Sequence, residues 1–158
     1  MADTGPKALG EVLQIYSPSE VITCKAGAAI AKGQVVKLSA AMGLDGVPTV
    51  IITATLNDFA YGCALDAAAL GANLRVLKVG WVKLTAGGAI TAGAPIKATA
   101  AGKAVAAVST VSIPSGATTV LSSSAQPSMT VETGVACGIA ETAASADNDT
   151  FMARIDCW

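Results

Sequence analysis

The hydrophobic residues of this chain fall in short runs separated by glycine, proline and aspartate, and no run sustains a helical period. The longest run, residues 74–84, alternates as a strand does. One face carries Val76, Lys78, Val82 and Leu84, and the other carries Arg75, Leu77, Val79, Trp81 and Lys83. Gly80 in the middle predicts a bulge or a bend. Short strands joined by turns predict an all-β barrel or sandwich.

One segment of the chain occurs twice: residues 26–38 match residues 86–98 in a register of sixty positions, without gaps. Each copy predicts a turn, an apolar anchor (Ile30 or Ile90), a second turn and a strand. The first glycine is expected to take a positive φ, and the second to reverse the chain. These structural turn glycines are Gly27 and Gly33 in the first copy and Gly87 and Gly93 in the second.

A second repeat enlarges the unit, because residues 62–68 resemble residues 138–144. A closing strand follows each copy, and it carries Arg75 in the first and Arg154 in the second. The chain is therefore predicted to be a compact β-barrel built from two pseudo-repeated halves with β-clip-like turns.

Two segments stand outside this repeat scheme. Residues 1–19 are polar and broken by Gly5, Pro6 and Pro18, which predicts an extended N-terminal arm. Residues 20–158 are expected to form a single β domain. Within it, the Ser/Thr-rich stretch 109–130 is either a hairpin or a long surface loop.

Composition limits the class of protein further. Hydrophobic residues make up 53% of the 158 residues, but most are alanine and valine, and aromatic residues make up only 4%. Small side chains bury little area each, so a core of this composition contributes little stability and favours further stabilisation by oligomerisation. The net charge of −1 argues against a nucleic-acid partner. Residues 1–20 lack the apolar region of a secretory signal, and no run is long enough to span a membrane.

The chain offers little for catalysis. It has no histidine to serve as a base, and its carboxylates are scattered. Gly87-Gly88 lacks the context of a phosphate loop, and residues 147–149 (Asp-Asn-Asp) lack the rest of a calcium loop. Four isolated cysteines, Cys24, Cys63, Cys137 and Cys157, favour buried hydrophobes over a zinc site, and three disulfide pairings stay open. We therefore expect no enzyme, cofactor, metal or small-molecule substrate.

The few large side chains are better candidates for contacts with other proteins. They are dispersed, which suits isolated core plugs or interface anchors rather than a base-stacking platform. The candidate partner-interface residues are Ile15, Tyr16, Phe59, Trp81 and Trp158.

The order and spacing of the repeated motifs resemble those of a known family. The motifs lie at residues 26–37, 62–69, 75–82, 86–98 and 138–144. Together they resemble the small capsid decoration (cement) proteins of tailed phages. The resemblance implies a β-tulip or β-barrel body assembled in the host cytoplasm. It also implies a homotrimer on the outer capsid surface of an icosahedral head, where it bridges major capsid protein subunits and stabilises the virion.

Two other classes of function stay open on the sequence. The turns also resemble a β-clip module, which implies a carbohydrate-binding or enzyme-accessory role; a polar groove with aromatic walls would favour it. The small-residue composition is also compatible with a self-assembling surface or fibre protein. Mass in solution separates a closed trimer from an open polymer.

Overall fold

A computed structural model describes residues 20–39, 46–56, 58–107 and 135–157 of the chain. Nearly all regular structure in these ranges is β, as the sequence predicted. The strands are β1 (Glu20–Ala26), β2 (Val35–Leu38), β3 (Thr49–Ile52), β4 (Gly62–Ala64), β5 (Asn73–Gly87), β6 (Pro95–Ala98), β7 (Ala104–Ala106), β8 (Ala136–Ala140) and β9 (Asp147–Asp156). A short 3-10 turn, Ala100–Gly102, precedes β7. Within the described ranges, no helix is long and apolar enough to cross a membrane.

The nine strands close into two five-stranded rings that share β5. The first ring runs β1-β3-β2-β4-β5 and closes where β5 pairs with β1. The second runs β5-β7-β6-β8-β9 and closes where β9 pairs with β5. Ring closure leaves no free sheet edge within either circuit. β5 changes partners near its centre, and there Gly80 takes a φ of 138°, in keeping with the bend expected at this position.

The two rings are pseudo-equivalent down to single hydrogen bonds. Ile30 forms an isolated bridge to Ala68, and Ile90 forms the same bridge to Ala144. β1 runs parallel to β3 as β5 runs parallel to β7, and every other pair in the rings is antiparallel. The internal repeat of the sequence therefore corresponds to a repeat of topology.

The turn glycines serve two different purposes. Gly33 and Gly93 both have a φ of +83°, a backbone conformation that other residues adopt at a cost. Gly27 and Gly87 do not have a positive φ, so that expectation was wrong. An added Cβ would instead lie 2.8 Å from a methyl of Ile51 at Gly27, and 2.8 Å from a methyl of Thr99 at Gly87. Glycine is needed at these two positions because a neighbouring strand or turn passes close by.

The proposed equivalence of Arg75 and Arg154 was also wrong. Ala64 pairs with Val76 in the first ring as Ala140 pairs with Ala153 in the second. In this register Arg75 corresponds to Met152, and Arg154 corresponds to Leu77.

Each ring encloses its own apolar interior. In the first ring the buried set is Cys24, Ala26, Ile30, Val36, Val50, Ala64, Leu74 and Val76. The matching set in the second ring is Leu84, Ala86, Ile90, Ile96, Ala104, Ala140, Phe151 and Ala153, and it continues into a layer between the rings that contains Val35, Cys63 and Leu77. The second ring has Phe151 at the position that corresponds to Leu74 of the first ring, and Ala104 at the position that corresponds to Val50. The larger side chain on one strand is therefore accompanied by a smaller one on another, which keeps the interior filled.

Polar contacts also join the rings. The buried hydroxyl of Thr53 donates to the Thr99 carbonyl at 2.7 Å. The Gln34 amide donates to the Ala101 carbonyl at 3.0 Å, and Gly102 donates its N–H to the Thr53 carbonyl. The 3-10 turn of the second ring is therefore fixed against the first.

Candidate protein-docking surface

Phe59 is the most exposed aromatic side chain in the described part of the chain, with 72% of its surface accessible. Phe59 and Ala60 separate two clefts and are called here the Phe59 ridge. A cleft of about 450 Å³ on one side is also lined by Lys37, Leu38, Asp58, Tyr61 and Lys78. A cleft of about 210 Å³ on the other side is also lined by Val135, Ala136, Cys137, Asp156 and Cys157.

Asp58 fixes the chain that leads into this ridge. Its Oδ2 accepts hydrogen bonds from the backbone N–H groups of Ala54 at 2.6 Å and Thr55 at 3.0 Å. Its Oδ1 accepts from Lys37 Nζ at 2.8 Å. An aspartate that binds the preceding backbone in this way closes a local turn and ties it to β2. Phe59 therefore follows a residue whose side chain is held at three points, which lowers the entropy cost of using Phe59 in binding.

The charge on Asp58 is well stabilised. Burial alone would raise the pKa of this carboxyl, but the hydrogen bonds from Lys37, Ala54 and Thr55 outweigh burial and lower the pKa to about 2. The carboxylate is thus ionised at neutral pH, and it balances the charge of Lys37 beside the ridge. The Lys78 ammonium lies 4.9 Å from the centre of the Tyr61 ring in the same cleft.

Aliphatic side chains extend the exposed apolar surface on both sides of the ridge. Leu38 lines the larger cleft and is 47% exposed, and Val135 lines the smaller cleft and is 52% exposed. Sequence analysis did not indicate these two residues, because only the folded chain brings the end of β2 and the start of β8 to the same aromatic residue. An ordered apolar ridge between two clefts is a suitable surface for docking another protein.

The other candidate interface residues are not part of this surface. Trp81 is partly exposed on β5 and lines neither cleft. The register places it beside Arg154 of β9, which in turn lies beside Ile139 of β8. Ile15, Tyr16 and Trp158 lie outside the described residues, as do the predicted arm and stretch 109–130.

The acidic segment at the start of β9 binds within the chain itself. Asp149 accepts from the N–H groups of Ser145 and Ala146 at 2.9 Å, and Asp147 pairs with Lys103 at 2.7 Å. Asn148 has a φ of +68°. In the described ranges, no three His, Cys, Asp or Glu residues are grouped in a way that could hold a metal ion.

Comparisons with known proteins reveal a structural likeness. No protein-family model matches the chain, and no curated protein is significantly similar in sequence. Among solved structures, the chain is similar to the N base of the head fiber protein gp8.5 of bacteriophage phi29. The match covers 87% of this chain and 94% of that one, with a TM-score of 0.56 and 16% identity. At this identity the likeness establishes a shared all-β fold.

Proposed function

We propose that this chain is a structural protein of a bacteriophage virion that acts as a capsid decoration (cement) protein. The observation that carries the proposal is the fold shared with a head fiber base over nearly the whole of both chains. The resemblance of the sequence motifs to those of capsid decoration proteins also supports this placement. In this proposal the chain has no catalytic role, sits on the outer surface of the head and bridges major capsid protein subunits.

The Phe59 ridge is the part of the described surface best suited to contact the capsid. A protruding aromatic side chain flanked by clefts resembles the anchors that contribute most of the binding energy in protein interfaces. Because Asp58 holds the segment in place, Phe59 needs little reorganisation on docking. The clefts on each side can receive side chains of the capsid protein.

A fibre base is the second candidate, because the similar solved structure is itself described as the base of a head fiber. In that role the chain would attach to the head in the same way but carry a projecting segment. Negative-stain images of wild-type and gene-deleted particles separate the two roles. Loss of a low knob supports the cement role, and loss of a projecting fibre supports the base role.

The carbohydrate-binding alternative has less support. The larger cleft has aromatic and polar walls, but Lys78 already covers the ring of Tyr61. Both Asp58 oxygens are also engaged, one by Lys37 and the other by backbone N–H groups. A sugar would have to displace these contacts before it could stack or hydrogen-bond there.

The capsid-binding proposal is tested with heads purified from a phage strain in which this gene is deleted. Wild-type protein and the Phe59→Glu and Leu70→Ala variants are added, and bound protein is measured by co-sedimentation. Leu70 is the matched control, because it is 74% exposed and lines neither cleft. We expect Phe59→Glu to weaken binding at least about tenfold, as for an interface anchor. Binding should be unchanged in Leu70→Ala. Equal binding by all three proteins would show that the Phe59 ridge is not the capsid contact. Absence of binding by the wild-type protein would contradict the proposed capsid-binding function.

A further inference from the structure

Three of the four cysteines gather in one place. Cys63, Cys137 and Cys157 belong to the apolar cluster of the second ring and the layer between the rings, whereas Cys24 lies inside the first ring. All four are free thiols in the structure. Cys24 and Cys63 are fully buried, while Cys137 and Cys157 each keep 4% of their surface accessible. That small difference matters because Cys137 and Cys157 both line the cleft beside Phe59.

A bulge interrupts β8 at Cys137. Ile96 pairs with Gly138 but Lys97 pairs with Ala136, so Cys137 is the extra residue and has no partner in β6. A bulged residue can turn its side chain to the opposite face of the strand, and here it is buried in the core. Cys157 follows the end of β9 and is held by its N–H, which donates to the Lys78 carbonyl at 2.9 Å.

The thiol of Cys157 reaches the backbone of Cys137. It donates to the Cys137 carbonyl oxygen, with Sγ and the oxygen 3.8 Å apart. This arrangement has no counterpart in the first ring, where the equivalent positions hold Tyr61 and Gly80. The thiol pair is therefore a property of the second ring alone and not a consequence of the repeat.

We propose that Cys137 and Cys157 form an oxidisable dithiol, which a small disulfide such as oxidised glutathione reaches through the cleft beside Phe59. The geometry selects this pair from the pairings that the sequence leaves open. The cross-link would tie the end of β9 to β8 and so close the second ring covalently at the position where the described chain ends.

The exchange proceeds in two balanced steps. The Cys137 thiolate attacks one sulfur of the small disulfide, forms a mixed disulfide and releases the first small thiolate, which takes up a proton. Cys157 then gives up its proton and attacks the Cys137 sulfur, which releases the second small thiolate. The protein is oxidised by two electrons, and one small disulfide is reduced to two thiols.

The interaction between the two thiol groups favours this order of attack. It lowers the pKa of Cys137, and together with burial it raises the pKa of Cys157. Cys137 is therefore the first nucleophile, and Cys157 is the thiol that resolves the mixed disulfide.

The biological setting of this reaction rests on the proposed virion function. A phage protein is made in a reducing cytoplasm and released into an oxidising medium, so the cross-link would form after the particle leaves the cell. The reaction itself can be measured on the isolated chain, and its outcome does not depend on whether the chain binds heads.

The test equilibrates the purified full-length chain with mixtures of reduced and oxidised glutathione. Trapped samples are examined by intact mass and by peptide mapping. We expect one intramolecular disulfide between Cys137 and Cys157, loss of two hydrogen atoms, and two thiols left for alkylation after denaturation. The melting midpoint should rise by a few degrees, since the cross-link closes a loop of about 20 residues.

Single Cys→Ser substitutions distinguish this pair from the neighbouring thiols. Cys137→Ser and Cys157→Ser should each abolish the intramolecular disulfide, whereas Cys24→Ser and Cys63→Ser should form it as the wild type does. Peptide mapping of the wild-type chain gives the pairing even where a variant fails to fold. A disulfide to Cys63, cross-links only between chains, a persistent glutathione adduct, or four unreacted thiols in the oxidised mixture would each overturn the proposal.

Discussion

Leu77 and Arg154 occupy equivalent positions in the two rings, yet Leu77 is fully buried and Arg154 is exposed. Leu77 lies between Val21 and Cys63 across β1, β5 and β4, just as Arg154 lies between Trp81 and Ile139 across β5, β9 and β8. The second ring covers Leu77 and Cys63. No part of the described chain covers Arg154 and Ile139 in the same way.

This difference leads to a prediction about assembly. We expect the protein to sediment at micromolar concentration with the mass of three 15.5 kDa chains, with the outer row of Trp81, Arg154 and Ile139 at the contact. Trp81→Ala should shift the population toward monomer, because a large aromatic contributes strongly to such contacts. Analytical ultracentrifugation measures the effect. Leu70→Ala is the control, and a wild-type chain that stays monomeric would contradict the prediction.

Gly62 and Gly138 give a prediction about stability. Both lie where a strand packs closely against its paired neighbour, β4 against β5 and β8 against β9. An added Cβ at Gly62 would lie 2.5 Å from the Leu77 carbonyl oxygen, and one at Gly138 would collide with the Arg154 carbonyl oxygen. Backbone atoms in a paired strand cannot move aside without loss of hydrogen bonds. We therefore expect Gly62→Ala and Gly138→Ala each to lower the free energy of unfolding by about 2–4 kcal/mol.

Urea unfolding provides the measurement, and Gly88→Ala is the matched control. Nothing lies within 4 Å of a Cβ added at Gly88, and its φ is not positive. We expect the free energy of unfolding of Gly88→Ala to stay within about 0.5 kcal/mol of the wild-type value. If Gly62→Ala and Gly88→Ala unfold at the same urea concentration, the close strand contact at Gly62 does not exist in solution.

The repeat in the sequence predicted the two halves because the local structure of each half requires a glycine at one position and an isoleucine at another. Gly33 and Gly93 need a positive φ, and Ile30 and Ile90 each fill a ring interior. These constraints are local, so they leave a local signal. The alternation along β5 was predictable for the same reason, since a strand with a buried face needs a period of two.

The closure of the rings left no comparable signal. Pairing of β1 with β5, and of β5 with β9, joins residues far apart in sequence, and strand periodicity is the same whichever strand is the neighbour. The burial of Leu77 and the exposure of Arg154 also depend on which ring packs on which. Phe59 was predictable as a candidate anchor because aromatic residues are few, whereas the role of Asp58 depends on the turn that it closes.

Asp58 gives a prediction about pH. Its pKa of about 2 in the folded chain is below the ordinary value of 3.8, so ionised Asp58 stabilises the fold above the ordinary pKa. That contribution is lost as the pH falls from about 4 to about 2. After allowance for solvent screening, we expect Asp58→Asn to cost about 1–2 kcal/mol near pH 7 and much less near pH 2.5.

Urea unfolding of wild type and Asp58→Asn at the two pH values tests this prediction. Asp147→Asn is the control, because Asp147 also forms an ion pair with a lysine but its side chain is 55% exposed. Its substitution should have a smaller effect than that of Asp58 near neutral pH. A destabilisation by Asp58→Asn that is equal at both pH values would show that a lost hydrogen-bond acceptor, and not the lost charge, is responsible.

The N-terminal arm gives the last prediction, which combines the fold with the proposed function. Both rings close without residues 1–19, since β1 begins at Glu20 and pairs there with Val79. Ile15 and Tyr16 are apolar residues with no position in the repeat scheme. We therefore expect deletion of residues 1–19 to leave a folded trimer with near-normal melting but weak binding to heads. A segment that orders on binding can cover a large surface and link two capsid subunits, although part of its contact energy is offset by the ordering cost.

Thermal melting and co-sedimentation with gene-deleted heads measure the two properties separately, with Leu70→Ala in the full-length chain as the binding control. A truncated protein that binds heads as tightly as the full chain, or that fails to fold, would show that residues 1–19 are not a capsid-binding arm.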